Sequence, residues 1–400
     1  MSDYYPYNYE GHPVKQKYPE TWPMPSEEVR DMRWKALRKS MERNNLDFLI
    51  ITPSKGYMPT LSNQLCYISN FVPFANSGLF IIFPLNGDPQ MAVTTELGPQ
   101  FYHIVLETSW IEDVSMSSNP VKDMTGIIKQ MKLDKGRGGI VGYKNGVFSA
   151  VAYEGLCEAL PGVHFEDATP VFGRAQNEVS RSSEEELKYL RKACEILDLA
   201  YEAIANALKP GVTEPELWAE AEHAIIKNGG WYGHFMIGAV GPSPVFLRGP
   251  ATFKTLRQGD VVIFEIDTIY AGIMPQACFA LSIGRPREDV EKMFKFCEEL
   301  YPYTLEQLNK KRTFMDIDVD LNDRIHAKGY EPITPHIHLY NLSYAMPMQS
   351  PPQPGDFFTV HPNCCNSEYS AGAKFGDAVR INKDGKVERL NKVPAKLNIV

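Results

Sequence analysis

Apolar residues first recur at helical spacing after the polar cap Ser26-Glu27-Glu28. Met32, Leu37 and Met41 mark the periodic face, and Asn44-Asn45 stop it. Phe48–Ile51 is a continuous apolar run, as expected of a buried strand, and Gly78–Phe83 is another. Asn86-Gly87-Asp88 then supplies a hairpin-type turn before Met91-Ala92-Val93. Further strands are expected over 139–143 and near 163–165, with helices over 121–133 and 148–159 between them. Strands alternating with helices predict an α/β domain over about 27–178. Residues 1–26 carry no period and read as an N-terminal arm or a frayed end.

The pattern changes near residue 180. A serine three residues before a glutamate in Arg181–Glu186 predicts a capped helix start, and Leu187, Leu190, Cys194, Leu197, Tyr201 and Ile204 follow at helical spacing. Lys209-Pro210-Gly211 ends that helix, and Thr213 with Glu216 opens a second one running to Asn228. Strands are expected over 235–240, 261–270 and 277–283, helices over 288–309 and 315–328, and strands again over 357–362 and 377–381. A second domain thus spans 179–400, and the fold class expected for the chain is α+β.

Length and composition narrow the classes. A chain of 400 residues suits two domains, and 44% apolar with 22% charged residues is ordinary for a globular protein. A net charge of −8 argues against nucleic acid or anionic membranes as partners. No stretch reaches the ~20 apolar residues of a membrane span, and no secretory signal is visible at the N-terminus. The seven cysteines are scattered and show no C-x-x-C spacing, which favours reduced thiols and a cytoplasmic location.

Three apolar segments carry unusual polar groups. In Gly259–Asp267 a strand would place Glu265 and Asp267 on one face, a pair costly to bury unless it binds or titrates abnormally. Thr334–Tyr340 would put His336, His338 and Tyr340 on one face, and Phe357–Pro362 ends in His361. Two chemistries are open: a two-histidine, one-carboxylate metal site on Glu265, His336 and His361, or metal-free general acid–base work by the same groups. Cys278 lies nearby, but no basic neighbour marks it as a nucleophile.

The order of segments resembles the creatinase/aminopeptidase P/prolidase superfamily. The carriers are SSEEELKYLRKACEILDLAYEAI, LKPGVTEPELWAEAEHAIIKNGG, LRQGDVVIFEIDTIYAGI, HIHLYN and FFTVHPN, with RWKALRKSMERNNLDFLII and CYISNF in the first half. The resemblance implies a creatinase-type α/β N-terminal domain followed by a pita-bread C-terminal domain, and commonly a homodimer. The superfamily's metallopeptidases hold two ions with two Asp, one His and two Glu. Those five positions fall here at Glu265, Gln276, His336, His361 and Gly376, so only the histidine is kept. The histidine and glutamates of creatinase, the metal-free branch, fall at Arg248, near Cys278 and at His361, which makes creatine a poor substrate.

The expectation is therefore a metal-independent, creatinase-like hydrolase or lyase. It would cleave a C–N, C–C or C–S bond of a small molecule, without metal or cofactor. His361 and His336 would be the acid–base pair, with Glu265 orienting one ring. Arg248, Asp267, Gln276, His338, Tyr340, Trp231 and Cys278 would line the substrate cleft. A single-metal lyase and a non-catalytic pita-bread binding protein are the alternatives.

Overall fold

Ser26 starts the first helix, its Oγ accepting from Val29 N at 3.3 Å. The computed structural model describes residues 24–53, 63–71, 79–94, 105–106, 108–144, 148–230, 236–244, 251–333, 335–338 and 349–400. Residues 1–23 of the N-terminal arm, Trp231, Arg248 and Tyr340 lie outside them. The chain divides into two compact units between Gln176 and Asn177.

In the first unit, helices α1 (Glu27–Glu42) and α2 (Asn63–Ser69) accompany a mixed sheet of β1 (Phe48–Ile51), β2 (Phe80–Pro84), β3 (Gln90–Thr94), β4 (Asp113–Ser117), β5 (Gly136–Val141) and β6 (Val163–Asp167). Among the described residues the strand order is β4-β3-β2-β1-β5-β6. Helices α3 (Pro120–Gln130), α4 (Ala150–Ala159) and α5 (Thr169–Ser182) complete it. The apolar runs occupy the centre: every residue of β1 and β2 is buried. The reading of 139–143 as a strand is displaced, because β5 begins at Gly136. A Cβ at Gly138 would sit 2.6 Å from the Phe48 ring, and one at Gly139 2.6 Å from Leu49 and Ala168. Bare backbone lets these neighbours close over the strand, so its core position has no apolar side chains to announce it. Strand β4 went unread for the opposite reason: it is the sheet's outer strand and its sequence, DVSMS, is polar.

In the second unit, Ser183 caps α6 (Glu184–Ala207), accepting from Glu186 N at 3.1 Å. Glu216 accepts from both Thr213 N (2.7 Å) and Thr213 Oγ1 (2.8 Å) at the start of α7 (Glu214–Lys227). These helices cover one face of a sheet ordered β17-β9-β8-β7 among the described residues, made of β7 (Met236–Gly241), β8 (Val261–Asp267), β9 (Gln276–Ser282) and β17 (Leu397–Ile399). Helices α8 (Glu288–Asn309) and α9 (Phe314–Ala327) belong to a second layer with strands β10 (Tyr330–Glu331) to β16 (Val387–Arg389).

Strand β8 is buried on both faces, and its alternation sorts the side chains. Val262, Phe264 and Ile266 pack with Leu197, Ile204, Leu217 and Ile225 of the two covering helices. Val261 and Ile263 point the other way, into a cluster with Phe294, Phe314, Phe358 and Phe375. Glu265 and Asp267 continue this second face. Both are therefore buried, at 4% and 0% exposure. No helix among the described residues is long and apolar enough to cross a membrane.

Candidate active site

Antiparallel pairing of β8 with β9 sets Glu265 opposite Cys278 and Asp267 opposite Gln276. Strand β12 (Phe357–Val360) delivers His361 at its end, and it pairs with β11 (Ile337–His338). Strand β14 (Gly372–Lys374) delivers Lys374. Five strands thus converge on one buried polar spot.

At its centre Glu265 Oε2 accepts from Lys374 Nζ at 2.5 Å, with both side chains almost wholly buried. Burial pushes the Glu265 carboxyl up from its ordinary range, and the neighbouring ammonium opposes that shift. The other oxygen, Oε1, lies 3.8 Å from His361 Nε2. That approach is not an ion pair, because burial, and then Lys374, drive the His361 ring well below its ordinary pKa and keep it neutral. Both ring nitrogens of His361 are buried without a hydrogen-bond partner among the described residues. The same holds for both amide atoms of Gln276. Buried polar atoms left open in this way are costly unless something docks there.

The two histidines of the HIH segment part company. His336 Nε2 lies 3.0 Å from Asn322 Oδ1, and Asn363 Nδ2 lies 3.2 Å from His336 Nδ1. Its backbone N donates to Asp318 at 3.0 Å, and His361 N donates back to His336 O at 2.9 Å. Burial, and then Lys374, lower the His336 pKa to about 4. With both nitrogens occupied, His336 is placed to hold the His361 backbone. His338 lies against His361, its ring centroid 4.7 Å from that of His361 at a 55° tilt.

Glu265, His338 and His361 each bring one donor atom, and the three atoms lie within 4.8 Å of one another. Neutral imidazoles and a carboxylate form a donor set that suits a divalent transition ion. The five-ligand pair of ions implied by the resemblance does not fit. Gly376 offers no donor, and a Cβ there would lie 1.9 Å from Val360 O and 2.6 Å from His361 Cα. Its backbone is also pinned to Cys278 by reciprocal 2.8 Å hydrogen bonds. Gln276 contributes only a neutral amide. The described residues fit one ion.

Cys278 is buried, and desolvation raises its thiol far from the thiolate form, so it serves as a wall of the site. Lys374, Asn322, Asn363 and Asp318 were not singled out in the sequence. Lys374 had a signal: it is a lone cation in the otherwise small and apolar run Gly372-Ala373-Lys374-Phe375.

The family model described as "Creatinase/Prolidase N-terminal domain" matches residues 33–175, and "Metallopeptidase family M24" matches residues 188–383. An Xaa-Pro dipeptidase of Pyrococcus horikoshii is 23% identical over 305 residues, 76% of this chain and 79% of that protein. An uncharacterized peptidase of Bacillus subtilis, YqhT, is 25% identical over 213 residues, 51% of this chain and 60% of that protein, so less than two thirds of its length is spanned. A recombinant prolidase of Thermococcus sibiricus superposes with a TM-score of 0.78 at 20% identity, covering 94% of this chain and all of the other.

Relatives named as peptidases, and a metallopeptidase family model, overturn one expectation for this chain. The expectation they correct is that of a metal-independent, creatinase-like hydrolase or lyase outside the peptidases. The three-residue donor cluster of the structure differs from the expected set Glu265, His336 and His361 by one member, His338. With a creatinase/prolidase-type α/β domain followed by a pita-bread domain, this chain belongs to the creatinase/aminopeptidase P/prolidase superfamily.

Proposed function

We propose that the C-terminal domain is a metal-dependent hydrolase of short peptides, with dipeptides of the Xaa-Pro type as the first substrates to examine, working with one divalent ion on Glu265, His338 and His361. The observation that carries this reading is the cluster itself: three donor atoms within 4.8 Å, two of the three residues buried, and a neutral His361 ring with both nitrogens open. Such an ion supplies Lewis-acid activation of an amide carbonyl. Lys374 holds Glu265 Oε2 and so leaves Oε1 turned to the histidines. The Gln276 amide, two residues along the same sheet face from Cys278, offers a donor and an acceptor to a substrate's peptide group. His336 fixes the His361 backbone through its own carbonyl. Seven free cysteines accord with a reducing cytoplasm.

The test is elemental analysis together with a dipeptide panel. One manganese, zinc or iron ion per chain is expected, with Xaa-Pro hydrolysis lost on chelation and restored by the ion. Glu265→Gln and His361→Ala should each lower the rate ~100-fold or more and release the ion. Hydrolysis indifferent to chelators, an ion retained at full stoichiometry by His361→Ala, or no hydrolysis of any dipeptide would overturn the reading.

A further inference from the structure

A hollow lies beside helix α6 and the turn that carries Tyr270. Helix α6 presents Lys188, Arg191, Lys192, Glu195 and Asp198 along one broad face, each with a neighbour three or four residues away. The chain segment 388–392 is fastened alongside by two clamps. Arg191 Nη2 donates to Glu388 Oε1 at 2.7 Å, and Asp198 accepts from Asn391 Nδ2 at 3.0 Å and Lys392 N at 2.8 Å. Between helix and segment a hollow of about 480 Å³ remains, with Tyr189, Tyr270 and Leu390 in its wall. The two tyrosine rings stand 5.9 Å apart at 49°.

Its charge runs against that of the chain. Four cations face two carboxylates, in a protein of net charge −8. Both carboxylates are already engaged: Asp198 by the segment it anchors, and Glu195 by Lys192 at 3.3 Å. Neither Lys188 nor Lys392 forms an ion pair among the described residues, although they line the same hollow. Two ammonium groups beside an aromatic wall match a ligand that is anionic at one end and planar at the other. The volume is that of a small-molecule site.

We propose that this hollow binds a small organic phosphate of the nucleoside-phosphate class, with Lys188 and Lys392 holding the phosphates and Tyr189, Tyr270 and Leu390 receiving the ring. Lysine, a compact point charge with three donors, suits phosphate oxygens that present no single fixed plane. The proposal is independent of the hydrolase reading. Its wall nevertheless touches the site's scaffold, because Tyr270 belongs to the turn joining Asp267 to Gln276.

Isothermal titration of the full-length protein with ATP, pyrophosphate and adenosine tests it. Saturable ATP binding is expected, weakening as salt rises. Pyrophosphate and adenosine should each bind at least about tenfold more weakly than ATP. The double variant Lys188→Gln/Lys392→Gln, which keeps both clamps, should lose about tenfold or more in affinity while its thermal unfolding midpoint stays that of the wild type. Absence of saturable ATP binding, or equal binding by the double variant, overturns the proposal. Pyrophosphate binding as tightly as ATP overturns the ring's part, and adenosine binding as tightly overturns the phosphate's.

Discussion

Acid should weaken this fold through His336, by an amount that follows from its surroundings. The folded chain holds the ring neutral down to about pH 4, because it is buried and lies near the Lys374 ammonium. An unfolded histidine takes up its proton near pH 6.5. Between these values the unfolded state binds a proton that the folded state refuses, so stability falls as pH falls. Integrating between pH 7 and pH 5 attributes a loss of about 2 kcal/mol to this one ring. Replacing it by His336→Gln keeps a donor and an acceptor for Asn322 and Asn363 but removes the titration. Urea unfolding of both proteins at pH 7 and pH 5 gives the comparison, and titrating groups distant from His336 cancel in the difference. The variant is expected to start less stable at pH 7 and to lose about 2 kcal/mol less on acidification. Equal losses in the two proteins would mean that His336 is not held neutral, and the account of its burial would fall.

Two further outcomes probe the packing beneath the site. Gly376→Ala drives a Cβ to within 1.9 Å of Val360 O, against backbone that cannot swing aside, so a loss of about 3 kcal/mol or more is expected. A wild-type midpoint in thermal unfolding would show that β15 (Asp377–Ile381) and β12 are not so closely apposed. Lys374→Met should cost about 3–5 kcal/mol by stranding the Glu265 carboxylate, and adding Glu265→Leu should recover much of it, because the pair is worth little once both charges are gone. A double-mutant cycle in urea measures this, and strictly additive losses would refute the coupling.

Much of the architecture is written locally. Ser26, Ser183 and Thr213 begin helices because each side-chain oxygen meets a backbone donor or carboxylate one turn on, an interaction spanning three residues. The strands at 48–51 and 80–84 are legible as apolar runs, and 261–267 as an apolar run broken only by Glu265 and Asp267, because central strands are buried on both faces. The carboxylate pair Glu265 and Asp267 was equally plain, since alternation along one strand needs no knowledge of any other. What stayed hidden depends on neighbours distant in sequence. Strand β5 carries glycines because Phe48, Leu49 and Phe165 occupy the space their side chains would fill.

The site divides in the same way. Sequence alone determined that Glu265 and His361 are polar groups in apolar strands; that Gln276 and Gly376 stand at charged-ligand positions was implied by the resemblance to the superfamily. Only the tertiary structure decided which histidine joins them. His336 and His338 are two residues apart in an identical local pattern. Asn322 arrives from α9 and Asn363 from β13 (Asn363–Asn366) to claim one ring, while the other is left against His361. Lys374 likewise reaches Glu265 across 109 positions of sequence. Side-chain partnership in a buried polar site is set by which strands meet. Strand pairing is a long-range choice, driven by burying the Phe294, Phe314, Phe358 and Phe375 cluster, and no local pattern encodes it.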